Sequence, residues 1–168
     1  ANPGTAGGAY AAAFDGVYST SDSGATWSRA SGGLPPEPVA SLALRFVVNL
    51  VPGDQETLFA GTLGAGLWAS TDGGATWIPR GTGLADDYVA AVTVDPTNAM
   101  TIYAGTDHPS DGTSQRVYKS TDAGATWQAT GLDAGGFSID GIAVDPDDGS
   151  RVGAVSRGAA GYFQSLDA

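Results

Sequence analysis

The chain has 168 residues, enough for a domain with a core of its own, and carries 18 Asp plus Glu against 7 Lys plus Arg, a formal charge of −11. Its basic residues are scattered, so nothing would neutralise a run of phosphates, which argues against a nucleic-acid partner. With no cysteine, disulfides, thiolate metal sites and a cysteine nucleophile are excluded.

The opening residues, ANPGTAGGAY, have neither the basic stretch nor the apolar core of a targeting signal; any such signal has been removed or never belonged to this piece. GAYAAA (8–13) is a short apolar strand, followed by TSDSGATW (20–27) and the loop SGGLPPEP. VASLALRF (39–46) opens the next strand. The apolar run around it is broken by Arg45 and Asn49 and is too short to span a bilayer. TLFAGT (57–62), GLWAS and STDGGATW (70–77) follow, then the loop GTGLADDY. The same succession returns as VAAVTVDP (89–96), TIYAGT (101–106), RVYKS and STDAGATW (120–127), then GLDAGGFSID, IDGIAVDP (139–146) and QSLDA. No segment has sustained helical periodicity, so the chain reads as all-β.

Asp22, Asp72 and Asp122 recur every 50 residues, and Ser165 and Asp167 begin a fourth copy. Each full unit supplies four short strands, and four antiparallel strands per repeat of about 40 to 50 residues is the signature of a propeller blade. Apolar residues on both faces of a strand, as at Val89, Val92 and Val94, suit a sheet packed between two neighbours. The expected division is the last three strands of one blade over 1–30, complete blades over 31–80 and 81–130, and the first three strands of another over 131–168. About 3.5 blades of a ring of 6 to 8 would be present. The rest of a longer chain, or a second copy, would close the ring.

The three octapeptides resemble the Asp-box, or bacterial neuraminidase repeat: Ser or Thr, any residue, Asp, any, Gly, any, Thr, then Trp or Phe. The physics of the motif predicts scaffold. Asp22, Asp72 and Asp122 should accept backbone N–H groups at a buried turn. Gly24, Gly74 and Gly124 should take positive φ, and Trp27, Trp77 and Trp127 should fold between blades. Thr26, Thr76 and Thr126 complete the three boxes, and Asp167 belongs to the fourth. In families with this repeat the boxes lie away from the substrate face.

The resemblance implies a secreted or cell-surface bacterial protein that binds carbohydrate or protein ligands or serves as scaffold. Sialidases, xyloglucan-cleaving glycoside hydrolases, sortilin-type sorting receptors and photosystem assembly factors all carry the repeat, so a glycoside hydrolase fragment and a protein-interaction propeller stand as alternatives. Sialidase machinery is not visible: Glu37 and Glu56 are the only glutamates. The xyloglucanase-like reading places a pair of carboxylates in the loops between outer and inner strands, where Glu37, Asp86, Asp87, Asp133 and Asp140 lie. Asp87, Asp133 and Asp140 are the catalytic candidates, and an inverting pair would need carboxyls about 6.5–9.5 Å apart. Asp86, Tyr88 and Phe137 are the ligand-binding candidates. DHPSDGTSQR (107–116) departs furthest from the repeat and holds the only histidine. Asp107, His108 and Asp111 could meet a cation there, although one carboxylate per Asp-box falls short of a calcium loop and no metal site is assigned. No residue pattern points to a cofactor. Trp68 matches Tyr18 and Tyr118 in the repeat, a blade-core position.

Overall fold

The computed structural model describes residues 7–46, 56–107, 116–133, 137–157 and 161–165. Among them are fourteen strands and no helix. The first sheet holds β1 (Ala9–Ala13), β2 (Gly16–Thr20) and β3 (Ser28–Arg29), and the second β4 (Val39–Arg45), β5 (Thr57–Thr62), β6 (Leu67–Ser70) and β7 (Ile78–Pro79). In the third sheet are β8 (Val89–Val94), β9 (Ile102–Thr106), β10 (Arg116–Ser120) and β11 (Gln128–Asp133). The fourth comprises β12 (Ile139–Val144), β13 (Val152–Ser156) and β14 (Tyr162–Ser165). Every sheet is an antiparallel meander in chain order, so successive connections fall at alternate ends.

The core is a stack of three apolar layers, one between each pair of neighbouring sheets. Leu58 and Ala60 of β5 join Val17, Val39 and Trp77 in the first layer. Phe59, between them on the same strand, points the other way into the second layer with Val89, Ile102, Ala104 and Trp127. Tyr103 turns outward again, against Val117, Ile139, Val152 and Ala154 in the third. A strand that alternates its side chains yet buries both sets must lie between two partners.

Close stacking also constrains the backbone. A methyl group on Gly105 of β9 would lie 2.8 Å from Ile139 Cβ of the following sheet, closer than carbon atoms tolerate. The pairing of the first and second strands slips at the same step in three sheets, between Val39 and Ser41, Val89 and Ala91, and Ile139 and Gly141. Such a bulge bends the inner strand at its entry, and the recurrence shows it to be part of the repeat. Arg45, buried at the end of β4, donates from Nε to Ala99 O at 2.8 Å and so ties the second sheet to the third.

Candidate functional site

The alternation of connections gives the molecule two opposed faces, and they use their acidic residues differently. On one face lie the β2–β3, β6–β7 and β10–β11 turns. In each, the aspartate is engaged by its own loop. Thr26 Oγ1 donates to Asp22 Oδ2 at 2.6 Å, while the Thr26 N–H at 2.9 Å and the Thr20 hydroxyl at 2.7 Å reach Oδ1. Asp72 receives the same three bonds from Thr76 and Ser70, and Asp122 from Thr126 and Ser120. These donors, led by the threonine hydroxyl, hold all three carboxyls down at a pKa of about 2.

Two features of these turns correct the expectation from sequence. Asp22 and Asp72 are exposed and Asp122 is half-buried, so the carboxylates cap the turn from its solvent side. The buried polar groups are instead the hydroxyls two residues earlier, on Thr20, Ser70 and Ser120, which accept the N–H of Gly24, Gly74 and Gly124. Those glycines do take positive φ, at 91°, 90° and 80°. So do the residues before them, including the non-glycine Ser23 and Ala123.

Trp77 and Trp127 are buried between sheets, and each reaches back to the chain leaving the previous sheet. Trp77 Nε1 donates to Ala30 O at 3.0 Å and its backbone N–H to Gly32 O at 3.0 Å. Trp127 repeats this with Arg80 O at 2.8 Å and Thr82 O at 3.0 Å. Trp27 departs from the expectation: it is 44% exposed, because no described sheet precedes its own. Trp68 is half-buried against the first layer, its indole N–H on Ala65 O at 2.8 Å.

On the opposite face the loops entering the inner strands meet the hairpins between second and third strands. Leu63 N–H donates to Pro38 O, Asp107 N–H to Tyr88 O and Arg157 N–H to Ser138 O. Asp87 O also accepts the N–H of Gly64 and Gly66, so the loop entering the third sheet grips the β5–β6 hairpin of the second. A methyl on Gly64 would lie 3.4 Å from Glu37 Cγ and 3.9 Å from the Tyr88 hydroxyl, which brings Glu37 and Tyr88 together at that hairpin. Glu37 Oε2 is buried there with no hydrogen-bond partner. Asp86 Oδ1 accepts Tyr88 N–H at 2.9 Å and sets the approach of the loop, while Asp87 is exposed.

The remaining candidates separate. Asp140 takes a bond from Ser138 Oγ at 2.6 Å and a two-point contact from Arg157, at 2.9 and 3.2 Å, so both of its oxygens are engaged by the protein. Asp133, expected in a loop, is the last residue of β11, with its backbone opposite Arg116; its side chain lies outside the described residues. Phe137 is 38% exposed beside Ser138. His108, Asp111 and Asp167 lie outside the described residues. Among the described residues no three His, Asp or Glu side chains gather closely enough to hold a metal ion. The β5–β6 hairpin is the part of this face that sequence reading missed. Its signal was the pair Gly64 and Gly66, both at positive φ, which let the loops on either side close over it.

No protein-family model matches the chain, and no curated protein sequence matches it. Solved structures do. An ancestral GH74 enzyme superposes with a TM-score of 0.78 at 22% identity over 99% of this chain and 22% of its own. The GH74 xyloglucanase from Xanthomonas campestris gives 0.63 at 21% identity, over 91% of this chain and 24% of its own. For an extracellular domain of a one-component system from B. thetaiotaomicron the values are 0.66 and 14%, over 96% of this chain and 20% of that one. The chain therefore spans between a fifth and a quarter of the length of these structures. None of its described residues forms a helix long and apolar enough to cross a membrane. Four stacked antiparallel sheets, packed in sequence order and superposing on propeller structures, make this chain an arc of a β-propeller.

Proposed function

We propose that the chain is part of an Asp-box propeller of a secreted or cell-surface protein, and that it binds carbohydrate on the face away from its aspartate turns. The observation that carries this is Glu37 Oε2, a buried acceptor with no hydrogen-bond partner, on a side chain that meets Gly64 where Tyr88 also meets it. A buried, unmatched acceptor costs free energy unless something donates to it, and a sugar hydroxyl is a donor of the right kind. Tyr88 supplies an aromatic surface beside it, the usual pairing of apolar face and placed polar group in a small-molecule site. On the turn face, by contrast, each repeat aspartate already has its donors. The likeness to GH74 enzymes supports sugar as the ligand class, and the likeness to an extracellular domain supports placement outside the cell.

The test is calorimetric titration with xyloglucan oligosaccharides. Saturable binding is expected, weakened on the order of tenfold by Tyr88→Ala and by Glu37→Gln, since truncating an anchor removes about 1–2 kcal/mol. Absence of binding across glycan classes overturns the reading. A second reading, a piece of a glycoside hydrolase, draws on the same likeness and rests on Asp87. That carboxylate is exposed at the hairpin, with Oδ1 3.7 Å from where a methyl on Gly66 would sit. Release of reducing ends from xyloglucan, abolished by Asp87→Asn in a folded protein, would favour it.

A further inference from the structure

The chain departs from its own repeat at two positions that meet. By the pairing of first and second strands, Arg45 falls where the next two units have Asp95 and Asp145. Those aspartates turn back on their own loops: Asp95 Oδ1 accepts the Thr97 N–H at 2.7 Å and Asp145 Oδ1 the Asp147 N–H at 3.0 Å. Arg45 instead crosses to the β8–β9 hairpin of the next sheet, where its Nη2 donates to Met100 Sδ at 3.5 Å beside the Nε bond to Ala99 O. Met100 in turn falls where the first unit has Gly7. The backbone has the same duty at both positions, since Gly7 O accepts the Ser23 N–H and Met100 O the Ala123 N–H, each at 2.9 Å. The turn therefore needs no side chain here, and the thioether is free for another task.

Three features suit this sulfur to oxidation. It belongs to the only methionine of the chain, and there is no cysteine to compete for a peroxide. Met100 is 43% exposed, so an oxidant can reach it, whereas Arg45 behind it is buried. The Met100 backbone is held on both sides, its N–H donating to Asn98 Oδ1 at 3.1 Å and its carbonyl accepting Ala123, so the side chain starts from a fixed point beside the guanidinium. A thioether is a weak acceptor, while oxidation makes the group polar and gives it an oxygen. Hydrogen bonds from a charged guanidinium to oxygen are among the strong ones.

We propose that Met100 is a reversible site of oxidation by hydrogen peroxide, and that its sulfoxide strengthens the tie between the second and third sheets. A lone pair of the sulfur attacks one oxygen of the peroxide, so that the S–O bond forms as the O–O bond breaks. The sulfur gives up two electrons, and the departing hydroxide takes the proton of the transferred hydroxyl and leaves as water. Rotation about the Cγ–Sδ bond of the exposed side chain then turns the new oxygen to Arg45 Nη2, which already reaches the sulfur. Two-electron reduction by a methionine sulfoxide reductase restores the thioether. The inference stands apart from the carbohydrate reading, since Met100 lies against an aspartate turn, on the other face.

The test is thermal unfolding of the chain before and after treatment with hydrogen peroxide, with peptide mass mapping to locate the added oxygen. One oxygen on Met100 is expected, with a melting temperature higher by about 2–4 °C, the shift that a hydrogen bond to a charged group gives in a chain of this size. Treatment with a sulfoxide reductase and a thiol should return it to the starting value. Met100→Leu removes the sulfur, and its melting temperature should not respond to peroxide. Met100→Gln offers an amide oxygen at similar reach and should melt above Met100→Leu with no oxidant present. A sulfoxide-bearing chain that melts at or below the untreated one overturns the proposal. So do an unmodified Met100, an equal shift in Met100→Leu, or a Met100→Gln variant no more stable than Met100→Leu.

Discussion

Trp27 and Trp77 end the same octapeptide pattern, yet one is 44% exposed and the other 5%. Their turns match almost atom for atom, down to the 2.6 Å bond from threonine hydroxyl to aspartate. What differs is that among the described residues a sheet precedes only the second. The motif therefore builds its turn alone, while the burial of its tryptophan is a property of two repeats together. Turn chemistry is local and layer energetics are pairwise, which is how repeat architectures distribute stability.

The sharpest way to break this comparison is to truncate both rings. Trp77→Ala should cost about 3–5 kcal/mol, the usual loss for a buried aromatic, and Trp27→Ala under about 1 kcal/mol, as at exposed sites. Equal losses in urea denaturation would show that the motif stabilises without its neighbour. A smaller contrast is expected at the glycines. Gly74→Ala meets positive φ and places its methyl 2.7 Å from Ala30 O, whereas Gly24→Ala meets the same φ but only the Trp27 ring at 3.9 Å. Strain of about 1–2 kcal/mol is common to both, so any excess in the Gly74 variant measures the contact between sheets.

The aspartates sharpen the comparison from the other side, because their behaviour should not depend on position. A folded pKa of about 2 lies below the unfolded value, so each carboxylate contributes stability that is complete above about pH 4 and is lost as pH falls towards 2. Melting temperature against pH should flatten over that window to a similar extent in Asp22→Asn and Asp72→Asn. A much larger effect at Asp72 would tie the carboxylate to inter-sheet packing. The smallest effects belong to the left-handed residues before the glycines: Ser23→Gly and Ala123→Gly should each stabilise by up to about 1 kcal/mol. A loss in either would indicate that the side chain contributes more than its backbone strain costs.

What could be read from the sequence was mostly what is encoded within one repeat. Four strands per unit, positive φ at Gly24, Gly74 and Gly124, and apolar residues on both strand faces all follow from short-range pattern. Misreadings arose where a second repeat decides the outcome. Trp27 is exposed where no described sheet precedes its own, and Asp133 falls on a strand because β11 runs for six residues where β3 and β7 have two. Exposed aspartates were missed for another reason: a hydroxyl two residues earlier, on Ser70 or Ser120, already serves the buried end of the turn. On the opposite face, the loops holding Glu37, Asp87 and Tyr88 were legible, but their meeting at Gly64 depends on how far the β5–β6 hairpin reaches between them.

The reach of each seated tryptophan is fixed: the indole of Trp77 and that of Trp127 each bond a carbonyl 47 positions earlier in the chain. Each of these two tryptophans is thus a key whose lock belongs to the unit before it. A gene encoding such a chain can lengthen or shorten by whole units and keep every key facing a lock, whereas a deletion ending inside a unit strands one or the other. Only connections that carry no bond to a neighbouring sheet can change length without moving the sheets. Family history should therefore be written in steps of one repeat, with drift in size confined to the connections.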